Sequence, residues 1–458
     1  MEFLKSEKGK PLIFFEQFTY RYHKTLKDGV QRWPCSVKTC KCHLKLSSSN
    51  ILIEKQGNHN HEKCDENVMT RRIVSNSLKR KAVEDICTRP AKLIASKLRE
   101  ADVSTLTTTD VALIRHNMHR ARLAKHPKLP NNAEETHLAI SSMTIETNTG
   151  EKFLLVNDDV NKIIGFSSAS NLNVLCQVQQ IYVDGTFKSC PNHYTQLFIV
   201  HGLKNDIYVP LVFFLLPDKS TQTYQTAFEH IISKCASLGT QYSPSEVFID
   251  FEVAIHKAVE VVWPDARIRG CRFHLGQSWW RKIQQVGLTR LYKAKPSTPE
   301  SSFLKYFFGL PFLHPDKILD CFTEDLMPLF PAEDEKIEQF TDYIFNTYIS
   351  PDATFSPSLW ADYSATCNRT TNNCESFHSK LNSSFYNSHP NIYHLIDVLL
   401  DIQTDTYIKC RSKAHCRGRK KICDKEAFIR EQMTKLEQGQ LTRFQFVKIL
   451  CFKFLPKP

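Results

Sequence analysis

Gln180-Ile181-Tyr182-Val183-Asp184-Gly185-Thr186-Phe187 is the stretch that decides the fold. An apolar, β-branched run closed by an acid and then a glycine reads as a buried strand delivering Asp184 at its end. A second run has the same form: Val247-Phe248-Ile249-Asp250, followed by Phe251-Glu252. A third acid, Glu375, sits in the polar stretch Thr370-Thr371-Asn372-Asn373-Cys374-Glu375-Ser376-Phe377-His378. Two acids at strand ends and one on a later helix can gather oxygen ligands for a pair of hard divalent cations, Mg²⁺ or Mn²⁺. Such a site cuts and joins phosphodiester backbones.

Working outward, Gln180–Val183, Tyr194–Gly202 and Tyr208–Leu216 read as three consecutive strands. A helix is expected over Thr221–Leu238, a strand over Glu246–Asp250, a helix over Val253–Val262 and a short strand over Ala266–Cys271. A mostly helical insertion follows over about residues 290–360, and a helix holds Glu375 through Leu381. The fold class is therefore α/β, in the element order of an RNase H-like catalytic core. In that core the ends of the first and fourth strands lie side by side, so Asp184 and Asp250 meet.

The chain holds 48 acids, so competitors count. Glu333, Glu335 and Glu338 fall in a solvated acidic run. Glu252 would share Asp250's face if the strand continued, but a helix beginning at about Val253 should turn it away. Cys271 and His274 either bind metal or orient the edge of the site. As a lone pair they lack two zinc ligands, which favours a structural role.

The chain has 458 residues, enough for two or three domains. Its net charge of +12 is unevenly placed. Residues 1–130 carry about +13 and the rest about −1, which reads as a basic nucleic-acid-binding arm on a near-neutral domain. Sixteen cysteines would suit a secreted protein, but Met1-Glu2-Phe3-Leu4-Lys5-Ser6 starts no apolar leader. Runs such as Leu211–Leu216 are too short to span a bilayer, so no membrane partner is expected. Clustered Cys and His then read as metal ligands in a reducing compartment.

Residues 10–65 show such a cluster. Aromatic residues recur at Phe14, Phe15, Phe18, Tyr20, Tyr22 and Trp33, and Lys27-Asp28-Gly29 marks a turn between two strand-like runs. Leu44–Leu46 and Ile51–Ile53 add two short strands. One antiparallel sheet of this size needs a staple. Cys35 and Cys40 with His59 and His61 supply two thiolates and two imidazoles for a tetrahedral Zn²⁺. Cys42, His43 and Cys64 compete as ligands. Residues 70–130 form a basic helical DNA-binding or linker region, and residues 386–458 a helical C-terminal tail. In the tail, Arg417-Gly418-Arg419-Lys420-Lys421 suits DNA or nuclear import, although such runs are often only solvated.

Two resemblances sharpen these readings. The aromatic residues, Trp33-Pro34-Cys35, Cys40, His43-Leu44 and His59-Asn60-His61 resemble the FLYWCH-type zinc finger, a small β-sheet module that binds DNA or protein. Across 175–385 the chain resembles the MULE transposase domain of Mutator-like elements. The matching motifs are Tyr182–Phe187, Phe248–Glu252 with Trp263-Pro264, Cys271-Arg272-Phe273-His274, and Thr371 to Asn382 around Glu375. The resemblance implies that Asp184, Asp250 and Glu375 are catalytic Mg²⁺ or Mn²⁺ ligands of a DDE transposase. Many relatives carry a SWIM-type Cys-x-Cys finger after this domain; Cys410, Cys416 and Cys423 do not form it.

The expectation is thus a nuclear DNA transposase, possible as a homo-oligomer, acting on transposon terminal repeats and target DNA. The alternative is a transposon-derived, catalytically silent host DNA-binding or regulatory protein.

Overall fold

A computed structural model of the chain describes residues 1–6, 9–26, 28–86, 88–100, 106–205, 207–294, 298–331, 334–365, 372–385, 387–412 and 420–455. At 5, 372–375 and 420–422 it describes the backbone alone. Lys27, Glu333, Thr370, Thr371, Cys416 and residues 417–419 of the basic run lie outside the described residues. The chain divides into two compact units, Met1–Leu129 with Ser384–Tyr386, and Pro130–Ser383 with Asn387–Pro458.

The first unit begins with two small antiparallel sheets where one was expected. β1 (Glu2–Lys5), β2 (Pro11–Phe15) and β3 (Phe18–Arg21) form the first; β4 (Lys24–Thr25), β5 (Gln31–Pro34), β6 (His43–Leu46) and β7 (Leu52–Gln56) form the second. They separate because β3 meets the second sheet at a single bridge, Tyr20 to Cys35. Period-two alternation turns Ile13, Phe18, Tyr20, Trp33, Leu44 and Leu46 into one core with Cys35, Cys40 and Cys42. So small a core gives little stability alone.

Three helices follow: α1 (Glu66–Glu84), α2 (Pro90–Glu100) and α3 (Thr108–Leu123). Asp65 caps α1 through the Asn67 amide, and Thr107 with Asp110 forms a reciprocal capping box on α3. Val74, Leu78, Ala82, Ile94, Ile114 and Met118 close their core. The Arg122 guanidinium, from α3, donates to the carbonyls of Ala82, Asp85 and Thr88 at 2.7–2.9 Å, satisfying the C-terminal end of α1.

The second unit is built on a seven-stranded mixed sheet. After α4 (Ala133–Ser141) come β8 (Leu154–Asp158), β9 (Ile163–Phe166), α5 (Ala169–Leu175), β10 (Gln180–Thr186), β11 (Gln196–Lys204), β12 (Ile207–Leu216), α6 (Thr221–Ser237), β13 (Glu246–Ile249), α7 (Val253–Val262), β14 (Arg267–Gly270) and α8 (Arg272–Gln285). The strand order is β14-β13-β10-β11-β12-β9-β8. β10, β11 and β12 run antiparallel to one another, while β13 and β14 join parallel on the β10 side. β8 and β9, upstream of residue 175, extend the other edge; their short runs carry little periodic signal.

The central strands are buried residue after residue because both faces are covered. Tyr224, Ala227, Phe228, Ile231 and Cys235, one stripe of α6, pack against Ile181, Val183, Phe198 and Val247 on one face. On the other, Phe377 of the helix Asn372–Ser383 packs on His201 and Phe213. The helix Ile392–Arg411 joins this face, where Gln403 and Asn171 exchange two buried amide hydrogen bonds of 2.8 Å.

Between α8 and residue 360 the described residues form short α, 3₁₀ and π segments, and longer helices follow. Its core combines Trp279, Phe303, Phe307, Phe340 and Tyr348 with Ile429, Phe446, Val447 and Leu450. The last helix, Arg443–Phe454, is thus part of the insertion's core rather than a separate tail.

Candidate metal centre and acidic cleft

In the first unit, Cys35 follows β5, Cys40 lies in the loop to β6, and His59 and His61 lie on the segment leaving β7. Their donor atoms all lie within 4.8 Å of one another. Cys35 Sγ is 3.2 Å from His61 Nε2, Cys40 Sγ 3.4 Å from His59 Nδ1, and the two ring nitrogens are 3.3 Å apart. A tetrahedral zinc with ordinary bond lengths sets sulfur and nitrogen about 3.5 Å apart and two nitrogens about 3.3 Å apart. The donor set and its spacing fit Zn²⁺.

Of the competitors, Cys42 and His43 point elsewhere, and Cys64 is not in the cluster. The Cys42 thiol donates to Gly57 O, and His43 Nδ1 faces Lys41 O. Burial pushes the Cys35 thiol up to about 11 and the His59 imidazole below its usual value. A cation is what would convert such a thiol to thiolate. Sequence reading did not single out a role for Tyr20. Its buried hydroxyl lies 2.9 Å from His59 Nε2, and Phe18 stacks on the same ring at 3.5 Å. Were Nδ1 to bind a metal, the remaining proton of His59 would sit on Nε2 and donate to that hydroxyl.

In the second unit, β10 and β13 pair in parallel, Gln180 with Glu246, Ile181 with Val247 and Tyr182 with Phe248. Continued by two residues, this register sets Asp184 level with Asp250. β10 itself runs on to Thr186 against β11, so Asp184 lies within a strand rather than at its end. Asp184 and Asp250 line one cleft of about 570 Å³. Asp184 is 7 % exposed, and its Oδ1 accepts from the Gly185 amide at 2.8 Å. His274 Nε2 stands 3.9 Å from that carboxylate and His378 Nδ1 3.5 Å.

Helix Asn372–Ser383 carries both Glu375 and His378. The side chain of Glu375 lies outside the described residues. His378, one turn later on the helix, was not expected at the site and lines the cleft. Cys271 stands at the N-cap position of α8 and is fully buried, its amide donating to Ile249 O at 2.8 Å, while His274 lines the cleft.

Glu252 is a correction. α7 begins at Val253 as expected, yet Glu252 still lines the cleft. Its backbone is extended, φ −104° and ψ 114°, so it projects like a strand residue two places past Asp250. Lys219 Nζ holds its carboxylate at 2.8 Å, the Tyr224 hydroxyl donates to it at 3.1 Å, and Gln196 Nε2 donates to Tyr224 at 2.8 Å. Gly185 leaves room for this chain, since a Cβ there would lie 2.3 Å from Gln196 Oε1.

Among the described residues no helix is long and apolar enough to cross a membrane. No curated protein matches the chain. Residues 180–278 match the MULE transposase domain, and residues 3–61 match the FLYWCH zinc finger domain. The first match holds Asp184, Asp250, Glu252, Cys271 and His274; the second holds all four zinc-type donors. Both support a transposase-type or DNA-binding function. The chain carries a FLYWCH zinc finger followed by a MULE transposase domain.

Proposed function

We propose that this chain is a nuclear DNA transposase of the Mutator-like type. Its catalytic domain, about residues 175–385, has an RNase H-like core. The observation that carries the reading is that Asp184, in β10, and Asp250, just past the end of the parallel neighbour β13, line one cleft. The order β10, β11, β12, α6, β13, α7, β14, with β13 beside β10, supports the RNase H-like assignment.

Asp184, Asp250 and Glu375 would hold Mg²⁺ or Mn²⁺, as hard carboxylate oxygens suit these ions. Bound there, the ions supply activation of a water or 3′-hydroxyl nucleophile and stabilise the leaving oxygen. The side chains prepare the site. The Gly185 amide fixes one carboxylate oxygen of Asp184, and His274 and His378 flank it. Lys219 and Arg281 line the same cleft and offset acid repulsion toward phosphate. The zinc module and basic helices of the first unit would hold terminal-repeat DNA, chiefly through phosphate contacts.

The test is to incubate the protein with labelled terminal-repeat DNA and Mg²⁺ or Mn²⁺, with Asp184→Asn as control. Cleavage by the native chain and none by the variant is expected. Equal cleavage by both, or none by either, overturns the catalytic claim and leaves a transposon-derived DNA-binding protein.

A further inference from the structure

We infer that Phe187 is a stacking platform for one unpaired nucleobase, beside the phosphate that the acid pair addresses. The inference rests on the reading of the cleft as a strand-cutting site. Phe187 follows the last residue of β10 and lines the cleft with Asp184 and Asp250. β10 ahead of it is buried almost throughout, yet Phe187 is 48 % exposed. Among the described residues it joins neither of the two apolar clusters built around Trp279 and around Phe228, and no aromatic ring packs on it.

The local fold does not explain an aromatic ring here. The turn after β10 is held by the main chain, with the Cys190 amide donating to Phe187 O at 3.1 Å. The ring's one described partner is a cation: Lys219 Nζ lies 4.9 Å from its centroid and also holds Glu252. A ring beside an ammonium matches what a nucleotide presents, a π face next to a phosphate.

A second cation lines the cleft from α8. His274, Gln277 and Arg281 fall at i, i+3 and i+7 of α8 and all line the cleft. Arg281 Nη2 donates to Gln277 Oε1 at 3.3 Å, which steadies the guanidinium. The other stripe of α8, with Leu275, Trp279 and Ile283, is buried in the helical core, so this wall is rigidly mounted. A cleft of about 570 Å³ lined by Lys219, Arg281 and the exposed ring of Phe187 suits a single nucleotide drawn out of the duplex.

The test is photocrosslinking of the full chain to a nicked duplex oligonucleotide. 5-Iodouracil is placed in turn at each thymine position flanking the nick, and crosslinked peptides are identified by mass spectrometry. A crosslink to Phe187 is expected from one or two adjacent positions, lost in Phe187→Ala and kept in Phe187→Tyr. An exposed ring should be replaceable without unfolding, and a thermal melt of each variant checks this. If the native chain binds the duplex but crosslinks elsewhere, or equally well in Phe187→Ala, the inference is overturned. Asp184→Asn should keep the crosslink while losing cleavage. A crosslink without any cleavage by the native chain would leave stacking intact and remove the strand-cutting reading. Cleavage without the crosslink would do the reverse.

Discussion

Asp184, within β10, and Asp250, the residue after β13, fall level when the parallel register that pairs Tyr182 with Phe248 is continued by two residues. Adjacent strands lie about 4.8 Å apart, so two carboxylates at one level repel unless a cation lies between them. Asp250→Asn should therefore raise the melting temperature in EDTA by a few degrees, on the order of 1 kcal/mol. The same variant should lose the further rise that Mn²⁺ gives the native chain. A variant that melts lower in EDTA and still responds fully to Mn²⁺ would count against a shared cation site.

Removal of zinc should unfold the two small sheets of the first unit, because their core is little more than Ile13, Phe18, Tyr20, Trp33, Leu44 and Leu46 around the ligands. Circular dichroism of the chain with and without a strong chelator, with bound zinc measured in parallel, checks this. Tyr20→Phe keeps the ring and removes the hydroxyl facing His59, so zinc affinity should fall by about 10- to 100-fold. An unchanged affinity would show that Tyr20 acts by packing alone.

Gly309 touches the last helix so closely that a Cβ would lie 2.3 Å from the Val447 carbonyl oxygen. Backbone cannot swing aside as a side chain can. Gly309→Ala should cost at least about 1–3 kcal/mol through overpacking. Urea denaturation monitored by tryptophan fluorescence reads this, since Trp279 and Trp360 lie in the same core.

His201 is fully buried on β11 beside Phe377 and His378, and burial pushes its pKa down to about 3. Its unfolded value is about 6.5, so between these limits the unfolded chain binds the extra proton. The contribution of neutral His201 is thus fully present above about pH 6.5. It is lost as pH falls toward 3, at up to about 1.4 kcal/mol per pH unit. Denaturation midpoints for the native chain and His201→Gln, measured between pH 7 and 4, should diverge at neutral pH and converge in acid. A constant gap across this range would refute the assignment.

The sheet was legible where runs were long and apolar. β12, α6 and α7 fall within a residue or so of their expected bounds, because period and caps agree there. β8 and β9 escaped notice because a four- or five-residue strand at a sheet edge has almost no period to read. Glu252 was misjudged because a helix start was taken to redirect it, whereas the residue before a helix keeps extended geometry. His378 and Tyr20 were visible as letters, but their placement comes from packing between distant segments. The different settings of Cys271 and His274 likewise needed the start of α8, which buries the one fully and brings the other to the cleft.

The seating of Arg443–Phe454 among Phe303, Phe307 and Phe340 has a consequence for synthesis. A chain emerging from the ribosome at about 5–20 residues per second exposes Met1–Leu129 tens of seconds before Val447 and Leu450 are made. The zinc module and its three helices can fold in that interval. The helical core that mounts α8 beside the acids must wait. Vectorial synthesis thus makes the zinc-module unit ready first and delays assembly of the acidic cleft until Val447 and Leu450 have been translated.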